Sequence, residues 1–240
     1  MSLKKILQKG AAQFDLALSQ AQLSAFDCYC QELIAWNQRL NLTRIVEPDE
    51  IAVKHFLDSL SLAPLLPVAA GPLAVIDVGS GAGFPGLPLK IALPGLRLTL
   101  LEATGKKTTF LRHLLDLLQL NDVVVLTARA EEAGRRPAHR QQYDVAVARA
   151  VAVLPVLAEY TLPLVKVGGL VIAQKGQSPQ AEVKEAANAL GILGGAVKEI
   201  MPVAVPGLDA ARHLLVISKV KPTPPQYPRR PGLPAQKPIR

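Results

Sequence analysis

The stretch Val75 to Gly86, VIDVGSGAGFPG, constrains this chain more than any other. An apolar run ends in an acid and then in three glycines at alternate positions. Glycine tolerates the sharp turn at the carboxyl end of a buried strand, and without a Cβ it lets a ligand approach the backbone. In an open parallel sheet that turn lies in the crevice where ligands bind. Around it, short apolar runs alternate with helical patterns: LAVIDVG, LRLTLLE, DVVVLTA, YDVAVAR and GGLVIAQ, with helices such as 106–120 and 153–167 between them. This alternation predicts an α/β fold, a doubly wound Rossmann-like sheet with crossover helices on both faces. The last pair, AVKEIMPVAV and HLLVISKV, is joined by PGLDAAR, too short for a helix. It predicts an antiparallel C-terminal hairpin on a mostly parallel sheet.

Three zones follow. Residues 1–72 read as an N-terminal helical cap. Ser19 caps one helix, and a second opens at Pro48-Asp49-Glu50 and runs through His55 to Leu66. Residues 73–220 form the ligand-binding domain. Residues 221–240 carry seven of the 20 prolines and five of the basic residues without an acid, within a chain of net charge +8. A segment so rich in proline cannot continue a helix or an inner strand. It is expected to lie over the surface as an extended arm, ordered by a partner. The basic balance suits RNA, DNA or anionic lipid.

Other features exclude classes. Cys28 and Cys30 stand two apart in a helix, point to different faces and lack metal-ligand spacing, which predicts a reducing cytoplasm and no metal site. Residues 1–10 have lysines but no following apolar run, so no signal peptide is expected, and no apolar stretch is long enough to span a membrane. Asn41-Leu42-Thr43 fits a glycosylation acceptor only by accident in such a setting.

The glycine turn admits two cofactors. Gly81-Ala82-Gly83-Phe84-Pro85-Gly86 satisfies the dinucleotide pattern G-x-G-x-x-G, with Glu102 about 20 residues on. Against it, the strand ends at Gly79, two residues before that register begins, and Pro85 removes an N–H where a pyrophosphate needs donors. S-adenosylmethionine has no phosphate, and Asp77 can attract its ammonium. In either case Glu102, ending its strand, can grip two ribose hydroxyls. Gly79 and Gly81 offer bare backbone, and Ala130-Glu131 a third wall. Glu131 reads equally as an exposed first-turn residue. Arg149, at a strand end beside the crevice, needs a carboxylate or a substrate.

Taken together, these residues resemble the bacterial small-subunit ribosomal RNA methyltransferase G family, also called glucose-inhibited division protein B. The resemblance runs through Trp36-Asn37, Asn41-Leu42-Thr43, His55 to Ser59, the glycine turn with Phe84-Pro85-Gly86, and Leu101-Glu102-Ala103 before Lys106-Lys107. It continues through Arg129 to Glu132, Ala148-Arg149-Ala150, Lys175-Gly176, Arg212-His213-Leu214 and Tyr227 to Arg230. Many members have Asp where this chain has Glu102, and the extra methylene keeps the carboxylate. The resemblance implies methyl transfer from S-adenosylmethionine to guanine N7 of 16S rRNA, with S-adenosylhomocysteine as product. It implies cofactor contacts at Gly79, Phe84, Glu102, Ala103, Thr104, Ala130, Glu131 and Arg149, and small-subunit rRNA or the 30S particle as partner. His55 and Asp58, one turn apart, read as a polar pair bordering the substrate mouth. Lys106, Lys107, Tyr227, Arg229 and Arg230 are candidates to meet RNA, or simply solvated and packing residues. No nucleophile–base triad is visible. A ribosome-assembly factor with a vestigial pocket and a nicotinamide-dependent oxidoreductase are the competing readings.

Overall fold

A computed structural model describes residues 2–176 and 179–240. Seven strands form one sheet in the order β3-β2-β1-β4-β5-β7-β6: β1 (Ala74–Val78), β2 (Arg97–Glu102), β3 (Val123–Thr127), β4 (Tyr143–Arg149), β5 (Val165–Lys175), β6 (Gly195–Val203) and β7 (Arg212–Lys219). The first five run parallel, and β7 pairs antiparallel with both β5 and β6. The expected hairpin is therefore present. Strand order reverses between β1 and β4, which opens a crevice at their carboxyl ends.

Strand alternation divides the core between the two faces. Val75, Leu98, Leu100, Val145 and Val147 pack on one side with α1 (Leu3–Ala11), α2 (Gln20–Leu40), α5 (Gly86–Ala92) and α6 (Gly105–Leu117). Ile76, Val78, Leu101, Ala146 and Ala148 pack on the other with α8 (Leu154–Thr161) and α9 (Pro179–Leu193). Ser19 caps α2 in a reciprocal pair: its hydroxyl accepts from the Gln22 N–H, and the Gln22 side chain accepts from the Ser19 N–H.

Two expected helices differ in detail. The one opening at Pro48 comprises α3 (Pro48–Ile51), a π-helical stretch (Ala52–Leu57) and α4 (Asp58–Leu60). The wider π turn carries Lys54 and His55, and such turns recur at functional sites. The helix expected over 153–167 stops at Thr161, and Val165 to Val167 already belong to β5. Apolar runs alone do not separate a buried helix end from a buried strand start.

The C-terminal segment lies over the surface as expected, but its own body rather than a partner orders it, as a strap. Arg229 donates from its backbone N–H and its guanidinium to both oxygens of Glu159, a carboxylate with no exposed surface. Arg140 donates to the carbonyls of Thr223 and Tyr227, and Arg135 to that of Pro228. The segment's prolines leave many carbonyls without a backbone donor, and the arginines of 135–140 supply the missing protons. Short α7 (Ala130–Ala133) and α10 (Leu233–Gln236) flank α8. No helix among the described residues is long and apolar enough to cross a membrane.

Candidate active site

The glycine turn after β1 has the strained geometry that its composition predicts. Gly79, Gly81 and Gly83 hold φ of 72°, 59° and 104°, left-handed values that disfavour any Cβ. At Gly81 an added Cβ would meet nothing closer than 3.9 Å, so its backbone faces open space. At Gly83 a Cβ would lie 2.6 Å from the Tyr29 hydroxyl, which itself donates to the Ala82 carbonyl at 2.5 Å. Burial pushes the Tyr29 pKa well above its ordinary value. Tyr29 was not singled out from sequence: it lies 53 residues from Ala82, inside an unremarkable helix.

Glu102, ending β2, curls back under the turn. One carboxylate oxygen accepts from Gly81 N at 3.0 Å and the other from Thr104 N at 2.8 Å. Each oxygen keeps a further lone pair for a hydroxyl. Beside it, Val78, Gly79, Leu101, Ala103, Ala130, Glu131, Val151 and Tyr160 line a pocket of about 120 Å³. Glu131 is buried, not exposed, and accepts from the Gly232 N–H of the strap at 2.8 Å. Asp77 faces away from this pocket. Its side chain is wholly buried, Oδ2 accepts from Gly86 N at 2.8 Å, and Oδ1 has no partner. Burial raises its pKa to about 7, opposed by the Gly86 N–H and by Arg149. Asp77 thus fixes the start of α5 through Oδ2.

A larger cleft of about 590 Å³ opens on the other side of Val151, which lines both cavities. Its wall joins Lys54, His55, Asp58, Arg149, Gln174 and Arg212. Asp58 organises them. Its side chain, 3% exposed, takes Arg149 Nη1 on Oδ2 and Arg212 Nε on Oδ1, each at 3.0 Å. Gln174 donates to the Asp58 carbonyl at 2.6 Å. Arg149 also donates to the Lys54 carbonyl and to His55 Nδ1, which leaves His55 Nε2 to donate to Thr43 Oγ1 at 2.7 Å. Burial, reinforced by the Arg149 charge, drives the His55 pKa down to about 3. His55 is a neutral spacer in this network, and Arg149 bridges it to Asp58. Ala150, next along, holds the left-handed φ of 55°, an unusual conformation outside glycine, at the point where the chain turns between the cavities.

Not all the expected cofactor residues share one pocket. Gly79, Glu102, Ala103, Ala130 and Glu131 line the smaller cavity, and Arg149 the larger. Gly81 and Thr104 reach the site through their N–H bonds to Glu102. Phe84 is buried beneath it, stacked on Tyr29 and His55 at centroid distances of 5.4 and 4.6 Å, with the Arg149 guanidinium 4.9 Å from its ring. Lys106 is exposed and Lys107 half-buried at the start of α6. Among the described residues, no group of three or more His, Cys, Asp or Glu side chains is placed to hold a metal.

Sheet order and crevice are those of Rossmann-like methyltransferases, and solved structures share the fold. A chain in the complex of the Haloferax volcanii Trm112 methyltransferase activator with a methyltransferase superposes with a TM-score of 0.58 over 79% of this chain and 98% of that one, at 16% identity. A 16S rRNA adenine-N1 methyltransferase from Catenulisporales acidiphilia gives 0.53 over 65% and 89%, at 15% identity. By fold the protein is Rossmann-like. Residues 22–215 match the family described as rRNA small subunit methyltransferase G. Proteins named ribosomal RNA small subunit methyltransferase G are similar throughout: that of Roseiflexus sp. (strain RS-1) is 52% identical over 98% of this chain and 99% of its own, and that of Acetivibrio thermocellus 46% over 100% and 98%. The chain belongs to the rRNA small subunit methyltransferase G family.

Proposed function

We propose that this enzyme moves the methyl group of S-adenosylmethionine to guanine N7 in small-subunit rRNA, as naked RNA or within the 30S particle, in the cytoplasm. One observation carries the reading: the Glu102 carboxylate is held by Gly81 and Thr104 N–H groups at a turn bare of side chains, next to a slot walled by Ala103, Ala130 and Glu131. That donor set fits the cofactor. Glu102 offers acceptors for both ribose hydroxyls, Gly79 and Gly81 let the methionine chain pass along the backbone, and Ala130 with Leu101 flanks the adenine. We divide the chain accordingly into a cap (1–72), a methyltransferase body (73–220) and the strap (221–240).

Bound there, the cofactor supplies an electrophilic methyl group. Guanine N7 carries a lone pair and no proton, so the chain need not provide a base, and both ring nitrogens of His55 are already engaged by Arg149 and Thr43. Its work is positioning, which aligned neighbours make worth roughly 7–11 kcal/mol. Arg149, clamped by Asp58 beside the passage at Val151, presents a fixed cation to the guanine or its phosphate, and Arg212 and Lys54 extend the basic wall. Phe84 braces Arg149 and His55 from below.

Gly81→Leu tests the pocket. Its Cβ has room in the fold, and left-handed strain costs about 1–2 kcal/mol. The variant should fold, while titration calorimetry shows S-adenosylhomocysteine binding weakened at least 100-fold. Unchanged affinity would mean that the cofactor lies elsewhere.

A further inference from the structure

We propose that the C-terminal strap is part of the cofactor pocket: Arg229 anchors it so that the Gly232 N–H fixes the Glu131 carboxylate, making Arg229 a positioning residue for cofactor binding. The proposal rests on the reading that the pocket beside Glu102 takes S-adenosylmethionine.

Three observations support it. Glu131 sits on α7, a helix of four residues, too short to hold a buried carboxylate by its own hydrogen bonds. That carboxylate is held instead by two groups from outside its helix, the Gly232 N–H of the strap, 101 residues away, and the Tyr160 side chain of α8. Burial of an acceptor oxygen without a donor is unfavourable, so the Oε1 that takes the Gly232 N–H ties the rotamer of Glu131 to the place of the strap. The strap's place is in turn set three residues earlier. Arg229 makes a two-pronged contact to Glu159, with Nε 2.9 Å from Oε1 and Nη2 2.7 Å from Oε2, while its backbone N–H adds a bond of 2.7 Å. Such a fork fixes direction as well as distance. Finally, Glu159 and Tyr160 are adjacent on α8, and Tyr160 lines the same pocket as Glu131. Burial and the nearby Glu131 charge raise the Tyr160 pKa. One end of α8 therefore holds the strap with one residue and walls the pocket with the next.

Arg230 is exposed on the strap's outer side, whereas on its inner side Pro228 is buried against Gly134, where an added Cβ would come within 3.0 Å. The segment is thus fitted closely on its inner side, and its basic residues divide: Arg229 faces inward to a carboxylate, Arg230 outward to solvent.

The test compares full-length wild type with Arg229→Ala, Arg229→Lys, Glu131→Ala and the Arg229→Ala/Glu131→Ala double variant. Calorimetry at a temperature where circular dichroism shows native structure measures S-adenosylhomocysteine affinity, and filter binding measures affinity for small-subunit rRNA. Arg229→Ala should raise the S-adenosylhomocysteine Kd about tenfold with rRNA affinity unchanged. In turnover, KM for S-adenosylmethionine should rise while kcat holds. The double variant should bind no more weakly than Glu131→Ala, because both act through one carboxylate. Lys keeps the charge and loses the fork, so Arg229→Lys should fall between, and it carries the test should the alanine variant fail to fold. A lowered Tm with unchanged S-adenosylhomocysteine affinity would reduce the strap to a clasp and overturn the proposal. So would lost rRNA affinity with unchanged cofactor binding, which would make Arg229 an RNA contact. If wild type itself binds no S-adenosylhomocysteine, the pocket reading and the proposal fall together.

Discussion

Asp58→Ala is expected to destabilise the fold by about 3–5 kcal/mol, the range for removing one partner of a buried ion pair. The carboxylate is shared: Arg149 and Arg212 each donate to one of its oxygens at 3.0 Å, and its removal leaves two guanidiniums facing one another. The loss crosses the molecule, because Asp58 belongs to the helical cap, Arg149 ends β4 and Arg212 opens β7. Urea unfolding should show a lower midpoint with little change of slope. Methyl transfer should fall more than stability accounts for, since Arg149 then no longer has a set position over Phe84. Asp58→Asn keeps one acceptor and should lose less. A cost under about 1 kcal/mol for the alanine variant would mean that water satisfies both arginines and that the cleft is not organised by this residue.

Glu102→Ala should leave the chain folded and weaken S-adenosylhomocysteine binding by at least 100-fold. The Gly81 and Thr104 N–H groups that the carboxylate accepts lie in the opening of the crevice, where water can replace it. The ribose hydroxyls cannot be satisfied so easily, because a hydrogen bond to a charged acceptor contributes about 1.5–3 kcal/mol and two are lost. Glu102→Asp should retain most of the affinity, as the carboxylate survives. A less than threefold effect of the alanine substitution would remove Glu102 from the pocket.

How much of this was legible in the sequence follows the range of the interactions. The strands, their hairpin and the glycine turn are local, and short continuous apolar runs with positive-φ glycines write them into consecutive residues. Glu102 was legible because it ends a strand at the expected distance from the turn. What joins distant elements was not. The direction of Asp77, toward Gly86 rather than the pocket, follows from strand alternation, which sets it on the same face as Val75. From sequence alone, an acid beside a glycine turn also admits attraction of a ligand's ammonium. Tyr29 sits in a helix whose apolar spacing hides its bond to Ala82. In sequence the strap reads as an extended arm over the surface, and proline with positive charge and no acids leaves open whether it meets a partner or packs on the body. The buried Glu159 that holds it lies 70 residues earlier, in an apolar helix where one acid draws no attention. Arg149 reads from sequence as needing a carboxylate or a substrate, and the carboxylate it meets, Asp58, 91 residues away, pairs with it only in three dimensions.

The glycine turn and the cationic cleft thus meet at Val151, with the methyl donor proposed on one side and the guanine on the other. The most direct test is to incubate 30S subunits lacking this modification with the enzyme and methyl-labelled S-adenosylmethionine, then map the modified base by chemical cleavage at N7-methylguanine and primer extension. The account predicts label in small-subunit rRNA and a single cleavage stop at one guanine, lost with Gly81→Leu. S-adenosylhomocysteine binding with no label in the RNA, or label on a base other than guanine, would contradict it.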